Sequence, residues 1–262
     1  MRTIAIMNNK GGVGKSSLTV NLADILVRDY GKKVAIADCD GQRNASRFYL
    51  PMLNYRSEIT VKDVLTGDGE MLWSENFQTV RDGLFLLPGT PDLYELDISV
   101  VLTGEKPNFH KLALRHLREA MEEDEEIDFF FLDLPPGFTL TSCAALMAAD
   151  EVIVPVLMDG FNFDGVETMA VQLLSMRKAN PLMRITGAVI NQWHNAEHVL
   201  AGERLLRSMD IPVFNTVIRR TDKMPETTFE RKPIVEYSPR SAAAQDIRKL
   251  AVELLEGGAQ NG

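Results

Sequence analysis

The sequence predicts a doubly wound α/β fold, a mostly parallel sheet with helices on both faces. Three observations predict it. Apolar strand-like runs alternate with helical patterns along most of the chain. Two of those runs, Ile127–Leu134 and Val152–Val156, are nearly continuous in apolar residues, as strands covered on both faces are. The chain also opens with a strand, a glycine-rich loop and a helix in direct succession.

The elements follow in order. An apolar run places the first strand at Thr3–Asn8, and a helical run follows at Ser16–Tyr30. The second strand is expected at Lys33–Asp38. Residues 50–82 are the least regular stretch and read as an insertion. Further strands are expected at Leu84–Pro88, Phe129–Asp133, Glu151–Pro155, Ile185–Asn191 and Val213–Val217. Helices are expected at His110–Glu122, Leu140–Ala148, Gly165–Lys178, Glu197–Met209 and Ser241–Glu256. The acidic run Glu122–Glu126 reads as a solvated helix end and loop. Without internal repeats or a long linker, residues 1–256 are expected to form one domain, with Gly257–Gly262 as a flexible tail.

The bulk composition bounds the function. The 262 residues are 45% hydrophobic, enough for a sizeable core. A net charge of -9 argues against a generally basic nucleic-acid protein but leaves room for a local patch. Two cysteines, Cys39 and Cys143, lie too far apart in sequence to suggest a disulfide framework or metal cluster, and a cytoplasmic setting is expected. No apolar run reaches the ~18 residues of a membrane span, and the N-terminus reads as a strand, not a signal peptide.

In open α/β sheets, ligands bind beyond the carboxyl ends of the strands. Asn9-Lys10-Gly11-Gly12-Val13-Gly14-Lys15-Ser16-Ser17 occupies such a position. Its glycines let backbone N–H groups close around phosphate oxygens, and the helix N-terminus adds partial positive charge. In such a loop Lys15 reaches the β- and γ-phosphates and Ser16 ligates Mg²⁺. A second lysine, Lys10, stands inside the loop, where one triphosphate seldom needs two. Asp38 and Asp40 follow the second strand, where one carboxylate can hold a metal-bound water and the other can orient the attacking water. Phe129–Leu132 followed by Asp133 places a third carboxylate to support Mg²⁺, and Pro135-Pro136-Gly137 can form a switch segment that senses the γ-phosphate.

Taken in this order, Lys-Gly-Gly-Val-Gly-Lys-Ser-Ser, Asp-x-Asp-x-Gln and apolar-Asp-x-Pro-Pro-Gly resemble the deviant Walker motifs of the ParA/MinD ATPases, which have the P-loop NTPase fold. Val154-Pro155-Val156 with Gly165, and Gly187–Asn191, resemble later family blocks. Lys232–Ser241 resembles the C-terminal block of partition ParA proteins. The resemblance covers nearly the whole chain. It implies that Lys10 crosses the interface of an ATP-sandwiched homodimer to the partner's nucleotide. It implies phosphate contacts from Gly11, Gly12, Val13, Gly14, Lys15 and Ser17, and Mg²⁺ at Ser16 with Asp38 and Asp133 in support. It makes Asp40 the orienter of the hydrolytic water, alongside Lys10, Lys15, Asp38 and Asp133 in catalysis. Asn191 would read the adenine edge, and the backbone around Met224, Pro225 and Glu226 would wall the base. The chain departs from the pattern at Gly41, where the family usually has proline, and at Arg43, Leu134 and Leu157-Met158.

The loop begins almost at residue 1, so a short ParA without an N-terminal helix-turn-helix domain is expected. Residues 219–249 carry eight basic and five acidic side chains, a local excess of +3 against the overall -9. That segment, through Arg219, Arg220, Lys223, Arg240 and Lys249, is the expected surface for sequence-blind DNA binding. The resemblance further implies weak ATP hydrolysis stimulated by a ParB-like partner, and nucleoid association in the ATP state. A MinD-like membrane-surface or protein-positioning role is the alternative. It calls for a basic amphipathic C-terminal helix, whereas Ser241–Glu256 carries Glu253 and Glu256 and reads as a core-packing helix with Ile247, Leu250, Leu254 and Leu255 on one side.

Overall fold

A computed structural model describes residues 1–53, 58–67, 76–103, 112–123, 127–158 and 162–259. Seven strands form one sheet in the order β3-β4-β2-β5-β1-β6-β7. They are β1 (Arg2–Ile6), β2 (Val34–Asp38), β3 (Gln78–Arg81), β4 (Leu84–Leu87), β5 (Phe129–Asp133), β6 (Glu151–Leu157) and β7 (Arg184–Asn191). All neighbours pair in parallel except β3, which runs antiparallel on the edge beside β4. Edge strand β3 lies in the stretch read as an insertion. Its half-exposed Gln-Thr-Val-Arg offers too short an alternation to be recognised without its partner.

The described helices are α1 (Lys15–Tyr30), α2 (Asn44–Tyr49), α3 (Val61–Thr66), α4 (Leu93–Thr103), α5 (Ala113–Glu123), α6 (Leu140–Ala148), α7 (Asn162–Met176), α8 (Glu197–Arg207), α9 (Lys223–Glu230), α10 (Ile234–Tyr237) and α11 (Ala242–Leu255). The expected start of α5 at His110 and the end of the acidic run at Glu126 lie outside the described residues. Helices α2, α3, α4, α9 and α10 are not foreseen by the pattern reading. Three of these have six or fewer residues in which to reveal a period, and α4 and α9 follow proline-rich or polar turns.

Strand alternation divides the core in two. Ala5, Phe130 and Leu132 face a cluster covered by α3 to α8, whereas Ile4, Ile6, Phe129 and Phe131 face one covered by α1 and α11. Ile247, Leu250 and Leu254 of α11 are buried against α1, so this helix packs into the core with its apolar stripe. Among the described residues no helix is long and apolar enough to cross a membrane.

The expected strand at Val213–Val217 does not form. Only isolated bridges join Ala188 to Val213 and Trp193 to Arg219. The reason is a partner distant in sequence: the N–H groups of Asn215 and Thr216 donate to the Glu253 carboxylate, at 2.8 and 2.7 Å, instead of continuing the ladder along β7. Glu253 is therefore a structural acceptor that pins this segment to α11.

Candidate functional site

The sheet order leaves β1 between β5 and β6, with β2 beyond β5, so the chain departs from β1 in both directions. That reversal opens a crevice at the strands' carboxyl ends. Asp133 pairs in register with both Ile6 and Asp38, so the ends of β1, β2 and β5 meet at one level. The phosphate-type loop leaves β1 there and enters α1 through Gly14 at φ 92°. A Cβ at Gly14 would also lie 2.3 Å from Asn191 Nδ2, so both dihedral and space demand glycine. Asn191 donates from Nδ2 to the Val13 carbonyl at 2.8 Å, which fastens the loop to the end of β7.

A cavity of about 800 Å³ opens over this loop. Gly11, Gly12, Gly14, Lys15, Ser16 and Ser17 form its floor, and Asp40, Gln42, Tyr94 and Pro136 stand around it. A second hollow of about 280 Å³ adjoins it through Gly14, Ser17 and Thr228 and is walled by Asn191, Met224 and Pro225. Together they make a continuous bay, with the loop N–H groups on the floor of the larger part. Glu226 does not line either part. Its carboxylate takes hydrogen bonds from Lys223 Nζ and Tyr237 Oη.

Three carboxylates gather under one lysine. Lys15 is buried, which pushes its ammonium pKa down, while Asp133 and Asp40 oppose that shift. Its Nζ donates to the Lys10 carbonyl at 3.1 Å. Asp133 is fully buried. Its Oδ1 accepts from Thr19 at 3.3 Å, and its Oδ2 is buried with no hydrogen-bond partner among the described residues. Burial, then the neighbouring Asp38 charge, pushes the Asp133 carboxyl well up, against the pull of Ser16 and Lys15. A buried carboxylate oxygen without a partner, beside a serine hydroxyl and an anion-binding loop, is a donor set that suits Mg²⁺.

Asp38 is differently occupied. Its Oδ2 accepts from the Ser46 amide and hydroxyl at 2.7 and 2.6 Å, and Ser46 Oγ in turn accepts from Gly89 N at 3.0 Å. Burial raises its pKa to about 6. It braces the turn between β2 and α2 and acts on the bay through that turn. Asp40, at the rim, accepts from Gln42 N at 2.9 Å and from Tyr94 Oη at 3.4 Å.

Lys10 does not line the cavity formed by its own loop. Its stem lies toward the start of α7, with Cε 3.6 Å from where a Cβ of Gly165 would sit, and Asn9 bonds Gln172 on the same helix at 2.8 Å. The expected basic surface is rearranged as well. Arg219 makes a two-pronged ion pair with buried Asp246, at 2.8 and 2.7 Å, and lines the second hollow. Lys223 pairs with Glu226. Arg220, Arg240 and Lys249 are exposed and make no ion pair with another described residue. Residue counting cannot separate these fates, because pairing partners come from α11 and from within α9.

A family model described as an AAA domain matches residues 1–185. The chromosome-partitioning ATPase Soj of Thermus thermophilus is 35% identical over 260 residues, covering 97% of this chain and 96% of that one. The chain belongs to the ParA/MinD family of P-loop ATPases. The chromosome partitioning protein ParA of Caulobacter vibrioides is 28% identical over 97% of this chain and 94% of its own. The septum site-determining protein MinD of Pyrococcus horikoshii, solved with Mg-ADP, superposes with a TM-score of 0.74 at 27% identity, covering 98% and 97% of the two chains. This ATPase hydrolyses ATP with Mg²⁺, and its Asp133 Oδ2, Ser16 and glycine loop fit that pair. Gln42, Asn44, Arg47, Tyr94, Thr227, Thr228 and Arg231 also line the main cavity and are missed as site residues by motif reading. Tyr94 had one available signal, its place just past the carboxyl end of β4.

Proposed function

We propose that this chain is a ParA-type partition ATPase that forms an ATP-sandwiched homodimer, binds DNA without sequence preference and releases it on partner-stimulated hydrolysis. The observation that carries this reading is Lys10. A loop lysine directed toward α7 rather than into its own cavity suits contact with a nucleotide held by a second chain. A γ-phosphate touched in trans can favour the dimer because the diphosphate lacks that contact.

In this reading Lys15, Ser17 and the loop amides hold the phosphates. Asn191, Met224 and Pro225 flank the base. Ser16 and Asp133 would hold Mg²⁺, which offsets charge on the phosphate oxygens; Asp38 supports them by fixing the β2–α2 turn. Asp40 orients the attacking water from the rim. Arg220, Arg240 and Lys249, with Arg231 and Lys232, supply exposed cations for phosphate backbones. The names of the Soj and ParA relatives support a partition role, and a ParB-like partner on the cargo would stimulate turnover.

The test is DNA binding with ATP, with ADP and without nucleotide, over a salt series. The expected outcome is binding with ATP only, weakening steeply as salt rises. Equal binding in all three states overturns the reading, and ATP-dependent pelleting with liposomes instead would transfer it to the MinD-like class.

A further inference from the structure

The turn after β2 carries Gly41 where proline is usual in the family, and the structure shows what stands in that space. A Cβ on Gly41 would lie 2.6, 2.8 and 2.9 Å from the Cε2, Cζ and Cδ2 atoms of Tyr94. The Tyr94 ring, carried on the first turn of α4, rests directly on the Gly41 backbone. Its hydroxyl reaches Asp40 Oδ1 at 3.4 Å and accepts from Gln42 Nε2 at 2.9 Å. Gln42 N donates to the same Asp40 oxygen at 2.9 Å. One oxygen of the rim carboxylate is thus held from two sides, by a backbone amide and by a phenol. Tyr94 is 39% exposed, so it is not a core residue that packing alone explains.

We propose that Tyr94 is a positioning residue for hydrolysis: it holds the Asp40 carboxylate in the orientation that aims the attacking water, and it links α4 to that step. The proposal rests on the assignment of Asp40 above. It requires Gly41, because any side chain there displaces the ring and carries the hydroxyl off Asp40. The Tyr94–Gly41 pair therefore acts as one unit, with the aromatic ring taking up the room that a larger turn residue would fill.

The experiment is steady-state ATP turnover of the full chain for Tyr94→Phe, Asp40→Asn and the double variant, with melting temperatures as a folding check. Tyr94→Phe keeps the ring and removes the hydroxyl. The expected result is a fall in kcat of roughly tenfold with KM for ATP unchanged, since misorientation of a catalytic group acts on turnover and not on binding. Adding Tyr94→Phe to Asp40→Asn should cause no further loss. An independent pair is Gly41→Ala, expected to lower kcat in the native background but not in the presence of Tyr94→Ala. Unchanged turnover for Tyr94→Phe, with Asp40→Asn impaired, overturns the role of Tyr94 and leaves Asp40 standing. Unchanged turnover for Asp40→Asn defeats the assignment of Asp40 itself. A further loss in the double variant shows that Tyr94 does not act through Asp40, and also overturns the proposal.

Discussion

The charges beneath the glycine loop and those along residues 219–249 are arranged on opposite principles. Around the loop, Asp133 and Asp40 act on Lys15, Asp38 acts on Asp133, and one buried oxygen of Asp133 has no hydrogen-bond partner among the described residues. In the C-terminal segment, buried Asp246 is matched by both prongs of Arg219 and by the Arg219 amide at 3.0 Å. The first set holds more carboxylates than cations, a demand that a bound metal cation would meet. The second is balanced within the chain. The difference teaches that a binding site is marked by unmet electrostatic demand and not by the number of charges.

Lys10→Ala tests the unbalanced end with the largest expected effect. Nucleotide binding should persist in part, while the ATP-dependent dimer is lost and turnover falls by about a thousandfold or more, the scale of a trans cation on phosphoryl transfer. Sedimentation showing a normal ATP dimer would remove Lys10 from the interface.

Asp38→Asn reduces the imbalance. The folded pKa of Asp38, about 6, lies above the unfolded carboxylate value of ~3.9. Its favourable contribution is complete below the unfolded value and is lost as pH rises through the folded one. Nucleotide-free protein should therefore lose stability from about pH 4 to pH 7, and Asp38→Asn should flatten that slope, gaining at most about 3 kcal/mol at pH 7. Melting curves across that range decide it, and an unchanged slope assigns the effect to other groups.

Arg219→Ala makes the balanced end unbalanced. It strands a carboxylate that is 4% exposed, at a cost of about 2 kcal/mol in denaturant unfolding, and weakens nucleotide binding through the second hollow. Lys249→Ala, by contrast, should leave the melting temperature unchanged and reduce only DNA binding. Equal stability losses for the two would erase the distinction between paired and exposed cations.

The legibility of each region follows from the range of its interactions. The loop was readable because its demands are local: Gly14 needs a positive φ, and Lys15, Ser16 and Ser17 are fixed by the helix that begins there. Core strands β1, β2 and β5 were readable because burial on both faces forces apolar runs. Edge strand β3 and the helices α4 and α9 were not, since their stability comes from partners distant in sequence. The expected strand at Val213–Val217 failed for the same reason, because Glu253 on α11 takes its amides.

The sequence by itself determined the α/β class, the loop with its lysines, and the carboxylates at the ends of β2 and β5, because each depends on residue type over a few consecutive positions. Tertiary structure alone decided that Asp38 braces a turn through Ser46, that Arg219 belongs to Asp246 and that Tyr94 settles over Gly41 onto Asp40. Those are meetings between side chains 8, 27 and 54 residues apart. Which meeting occurs depends on how the sheet brings its loops together, and no local pattern encodes that distance.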